Sequence, residues 1–155
     1  MHREAFGCDF DSVSPLRAHS SERRIFRLSS SIGTSVAVYN ENTAEIRAYT
    51  GFTEFFISQG LSVPKVYAVS GDGLAYLVED LGNTTLHSFA ENSGTGQAYS
   101  FYKAAVNDLA RFQLSGRSGF DFSLCYPSSV FGRKIIAGDV AKFREYYVEK
   151  MGNKL

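Results

Sequence analysis

Neither sign of charge is in excess in this chain: 16 Lys and Arg stand against 16 Asp and Glu in 155 residues. Proteins that hold nucleic acid concentrate positive charge on one face, so the balance argues against a nucleic-acid partner. Long apolar runs are missing too. No stretch approaches the roughly 18 residues that a membrane span needs. Residues 1–11 mix His2, Arg3, Glu4 and Asp9 where a signal peptide would carry an apolar core. A cytoplasmic protein without membrane contact is the expectation. Cysteine is scarce: Cys8 and Cys125 lie far apart with no Cys-x-x-Cys or Cys/His spacing, which points away from a metal site or a disulfide framework. The three histidines, His2, His19 and His87, have no partner at ligand or triad spacing.

What is present is the composition of a folded domain, with 44% hydrophobic and 14% aromatic residues. Short β-like runs at residues 13–18, 24–28 and 35–39 are separated by the small polar residues 20–22 and 29–34, which read as turns. Residues 40–43 can cap a helix in which Ala44, Ala48, Phe52, Phe55 and Phe56 recur at helical spacing, and Gly60 closes it. Residues 65–69 and 74–79 read as a hairpin about Ser70-Gly71-Asp72-Gly73. Beyond Gly82 the pattern turns helical. Thr84 or Thr85 can cap a short helix to about Glu91, and residues 92–96 break it. Residues 97–113 then carry Tyr99, Tyr102, Val106, Leu109, Ala110 and Gln113 as a largely apolar stripe. A turn-rich loop over 116–127 precedes a last helix over 135–151. Strands followed by helices make an α+β fold, with an antiparallel sheet of about five strands and one helix in residues 1–82 and helices in residues 83–155.

Three segments carry chemistry. In Ser21-Glu22-Arg23-Arg24-Ile25-Phe26-Arg27, a tight hairpin offers backbone N–H groups to an anion and its arginines add charge-assisted contacts; the same residues also suit a solvated basic edge strand. Glu45 stands at the start of the helix, where an acidic residue suits the macrodipole in any case. The third is Gly60-Leu61-Ser62-Val63-Pro64 followed by Tyr76-Leu77-Val78-Glu79-Asp80-Leu81-Gly82. It reads either as a buried strand ending in an acidic turn or as a strand leading to a connection with exposed main chain.

The order of these segments resembles that of the aminoglycoside phosphotransferase and choline kinase superfamily, and more narrowly its bacterial anomeric amino-sugar kinase branch, over about residues 13–150. The resemblance implies a protein-kinase-like N-lobe followed by the first helices of a helical C-lobe. It implies a nucleotide site formed by Ser21, Arg23 and Arg24 at the phosphates, Glu45 in the helix, and Glu79, Asp80 and Leu81 at the hinge. There the Glu79 carbonyl and the Leu81 N–H would meet the adenine edge. Two positions depart from the family pattern. Ser20 stands where glycine is usual, and Val36-Ala37-Val38-Tyr39 lacks the strand-3 lysine, as relatives in the amino-sugar branch also tend to. No His-x-Asp or Arg-x-Asp followed by Asn occurs at catalytic-loop spacing. The resemblance therefore implies an N-terminal fragment of an ATP-dependent phosphotransferase for a sugar or aminoglycoside hydroxyl, inactive alone, with the Mg²⁺ ligands supplied by a part not in this sequence. The alternative is a non-catalytic nucleotide-binding or regulatory module that self-associates or meets a partner.

Overall fold

The computed structural model describes residues 1–16, 23–116 and 119–150. Its contacts divide the chain into two units, Met1–Leu124 and Cys125–Leu155.

In the first unit, strands β1 (Ser12–Leu16), β2 (Arg24–Ser30), β3 (Gly33–Tyr39), β4 (Val66–Val69) and β5 (Ala75–Glu79) form one antiparallel sheet in the order β1-β2-β3-β5-β4. The β2–β3 hairpin is tighter than the sequence pattern suggests. Ser29 pairs with Thr34 and Ser30 with Gly33, leaving Ser31 and Ile32 as a two-residue loop, the length that suits strand twist best. Small polar residues next to a turn are compatible with ladder pairing, which is why composition alone placed the turn too widely.

Helix α2 (Thr43–Ser58) crosses between β3 and β4. Asn42 caps it by accepting from the N–H groups of Ala44 and Glu45. At the other end Gly60 takes φ 68°. The Leu61 N–H then reaches the Phe56 carbonyl at 3.0 Å and the Gly60 N–H the Ile57 carbonyl at 2.9 Å, the pairing of a Schellman motif. The helix buries Ile46 and Ala48. Ile46 joins Val38, Tyr76 and Val78 in the core, with Ile25, Val36, Tyr49 and Val66 packed around them. Strand alternation puts Ile25, Val38 and Tyr76, which are in register across β2, β3 and β5, on this one face.

The sequence pattern gave no sign of α1 (His2–Phe6), a helix too short to show a periodicity. It contacts β4, and Phe6 meets the Tyr67 ring at 4.8 Å. The lower half of α2 is held by rings: Phe56 packs edge-on to Phe112 at 4.8 Å, and Phe55 to Phe120 at 5.0 Å. Helices α3 (Leu86–Ser93) and α4 (Thr95–Ser115) form a hairpin. Thr85 caps α3 through a reciprocal capping box with Ser88. The break between the helices narrows to Gly94, at φ 82°, so α4 starts two residues earlier than the glycines suggest. Tyr99, Tyr102, Val106 and Leu109 of its apolar stripe are exposed. A 3₁₀ turn (Phe122–Leu124) contacts α2.

The second unit holds α5 (Arg133–Phe143), continued by a π-helical turn over Arg144–Glu149. The Phe143 and Tyr147 rings stack at 5.2 Å. Among the described residues no helix is long and apolar enough to cross a membrane.

Candidate functional site

Arg23 and Arg24 are neighbours in sequence but point to opposite faces of the sheet. Arg24 is in register with Tyr39 and its guanidinium lies over that ring, 5.7 Å from the centroid. It borders an open depression of about 590 Å³ with Tyr39, Asn40, Glu41 and Asn42. Arg23 is on the face that carries Ile25 and the core, and its guanidinium donates to the Glu45 carboxylate in the first turn of α2. The second Glu45 oxygen accepts from the Asn40 side-chain amide at 2.9 Å. Asn40 is itself buried and doubly anchored. Its side-chain oxygen accepts from the Asn42 N–H at 2.9 Å, and its own N–H donates to the Leu74 carbonyl at 2.9 Å. Both oxygens of Glu45 are therefore held, one by β2's lead-in residue and one by the turn that starts α2.

Tyr49 lies one helical turn beyond Glu45 and stacks on Tyr76 of β5, with ring centroids 4.7 Å apart and planes at 26°. Burial raises the Tyr49 phenol, with Arg23 and a hydrogen bond to Thr53 opposing it. Burial and the neighbouring Tyr49 push Tyr76 up to about 12, against a smaller opposing pull from Arg23. Both phenols are neutral at ordinary pH. Arg23, Asn40, Glu45, Ile46, Tyr49 and Tyr76 enclose only about 10 Å³, so the cluster is packed on itself. Val38 sits in the middle of β3 beside it, 5% exposed, and contributes no charge.

The other candidates lie where β5 leaves the sheet. Glu79 pairs with Lys65: its N–H donates to the Lys65 carbonyl at 2.9 Å, and its carboxylate accepts from the Lys65 N–H at 3.1 Å. The Leu81 side chain is 69% exposed, and among the described residues nothing accepts its N–H. Asp80 is buried, its side chain 4% exposed. Arg27 of β2 grips it with a fork, Nε to Oδ2 at 2.6 Å and Nη2 to Oδ1 at 2.8 Å, while its Nη1 donates to Asn83 at 2.8 Å. The Gly82 N–H adds a bond to Asp80 Oδ1 at 2.9 Å. The Arg27 bonds, with help from Gly82 and the Thr34 hydroxyl and against the cost of burial, hold the Asp80 carboxyl down at about 2. Arg27 is raised in turn, chiefly by its bond to Asp80.

Of the residues singled out from the sequence, Arg23 and Glu45 meet directly, and Glu79, Asp80 and Leu81 follow one another at the end of β5. Arg24 is on the far face of the sheet, and Ser21 lies outside the described residues. Sequence reasoning gave no role to Arg27 or Asn40. Arg27 closes the basic motif and was visible there, but its partner is 53 positions away. Asn40 read only as one of the residues 40–43 that can cap α2. Among the described residues no group of three or more His, Cys, Asp or Glu could hold a metal ion. These residues do not supply a Mg²⁺ site.

No protein-family model matches this chain, and no curated protein is significantly similar to it.

Proposed function

We propose that residues 1–82 form the nucleotide-binding lobe of an ATP-dependent phosphotransferase of the aminoglycoside phosphotransferase and choline kinase type, acting on a sugar or aminoglycoside hydroxyl. The observation that carries this reading is the Arg23–Glu45 pair, with Glu45 also held by Asn40. A cation presented from a strand and aligned by a helix carboxylate is the arrangement that phosphoryl transfer uses to orient phosphate oxygens. Here it forms without a strand-3 lysine, with the arginine supplied by the residue that leads into β2. The strand order, the helix between β3 and β4, and the exposed Leu81 after β5 agree with a protein-kinase-like lobe and its hinge.

In this reading Arg23 meets the phosphates, Glu45 and Asn40 orient it, and the Leu81 N–H donates to the adenine edge. The transfer itself displaces ADP from the γ-phosphorus by a substrate oxygen that loses its proton to a base. No residue of the chain is given that last role. The test is thermal denaturation of the 155-residue chain with ATP. At a ligand excess of about 100 Kd the folded state gains about 2.7 kcal/mol, a rise of several degrees in Tm. Arg23→Ala should remove most of that rise and Arg24→Ala should leave it. No rise in the unmodified chain, or equal losses in the two variants, contradicts the assignment.

A second reading, a non-catalytic nucleotide-binding or regulatory module, draws support from the bare stripe on α4, since exposed apolar faces mark interaction surfaces.

A further inference from the structure

We infer that the Arg27–Asp80 pair is the positioning device for the adenine side of the site, so that Asp80 is a strut and not a ligand; this rests on the nucleotide reading above. Three features carry it. The first is seclusion: the Asp80 carboxylate is 4% exposed and the Arg27 side chain 18%, so neither is presented to a ligand as a free charge. The second is the fork. Two parallel N–H···O bonds set the position and the plane of the carboxylate together, and the third arginine nitrogen extends the same grip to Asn83. One side chain of β2 thus anchors both ends of the four-residue stretch 80–83.

The third is what the carboxylate does with its remaining capacity. Asp80 Oδ1 accepts from the N–H of Gly82 two residues on, which is an Asx turn. Gly82, at φ 80°, takes a conformation that a side chain would strain. In that turn the N–H of the middle residue, Leu81, is bypassed. The carboxylate takes the Gly82 N–H and leaves the Leu81 N–H for another acceptor, and in the nucleotide reading that acceptor is the base edge. A buried ion pair is weak evidence for stability as such. Its value here is geometric, since loss of the fork frees the turn that carries Leu81.

The device predicts a split between the two ends of the nucleotide. Titration calorimetry of the full chain with adenosine, with inorganic tripolyphosphate and with ATP separates them. Arg27→Ala and Asp80→Asn should weaken adenosine binding by about fivefold to tenfold, the cost of one well-placed hydrogen bond. Tripolyphosphate binding should stay within about twofold, which is below the effect of one lost hydrogen bond. Arg23→Ala should do the reverse. Asp80→Asn keeps the volume of the side chain and an oxygen for the Gly82 N–H, so it serves where Arg27→Ala does not fold, and a cooperative melt qualifies each variant. Unchanged adenosine affinity in the folded variants overturns the inference, as does an equal loss for adenosine and tripolyphosphate, which is the mark of a merely structural pair. If the unmodified chain binds neither adenosine nor ATP, the nucleotide reading itself falls and takes the inference with it.

Discussion

The contrast between Arg23 and Arg24 shows how much a single position decides. Adjacent strand residues face opposite ways, so one arginine meets Glu45 and the other lies over Tyr39. The sequence presents both as equal candidates, because the motif names residue types and not faces. Asp80 is the converse case. Read as part of an acidic hinge motif, it looks like a ligand; in the fold it is buried under Arg27. That burial makes a pH prediction. The Asp80 carboxyl titrates near 2 in the folded chain and near about 3.9 when unfolded. A carboxyl lowered on folding contributes stability that is complete above the unfolded value and is lost as pH falls through the folded one. Urea midpoints should therefore fall between about pH 4 and pH 2, and Asp80→Asn should flatten that limb. Asp72 and Asp121 are also lowered, by Ser70 and Ser123 respectively. The variant's difference from the unmodified chain isolates Asp80, and an unchanged acid limb would contradict its role in the clamp.

At the scale of elements, what positions the site is the start of α2. Asn42 satisfies two N–H groups of its first turn, and one of them belongs to Glu45. Asn42→Ala should cost about 1 kcal/mol and should also weaken ATP binding, because it loosens the turn that carries Glu45. Gly60→Ala forces a side chain into the left-handed region at the other end. It should cost about 1–2 kcal/mol and leave ATP affinity alone. Chemical denaturation with ATP titration of both variants tests the pair; a loss of affinity on Gly60→Ala would mean that α2 responds as a rigid whole. Most elements were legible in the sequence because their punctuation is local. Asn42, Gly60, the Ser70 to Gly73 turn, Thr85 and Gly94 each act within a few residues. Helix α1 escaped because five residues show no period. The Arg27–Asp80 and Arg23–Glu45 pairs escaped because their partners come together only when the sheet and α2 assemble.

Across the whole molecule the order of strands and helices beyond α1 follows from the sequence, and the covering of the helices does not. The stripe on α4 was readable as apolar, yet Tyr99, Val106 and Leu109 are 68%, 65% and 56% exposed. In the second unit Phe131, Val140 and Phe143 are exposed as well. Periodicity reports which face seeks burial but not what buries it. Faces of this kind associate, so sedimentation velocity should show a coefficient that rises with protein concentration, and Val106→Glu with Leu109→Glu should suppress the rise. A concentration-independent monomer would show that the stripe is tolerated bare.

The central claim is that this chain holds a nucleotide between Arg23, Glu45 and the end of β5. Amide resonance mapping with added ATP tests it most directly. The account predicts saturable shifts confined to residues 23–28, the first turn of α2 and residues 79–82, with the Leu81 amide among the largest. Shifts absent from those segments, or spread over the exposed face of α4 instead, would contradict it.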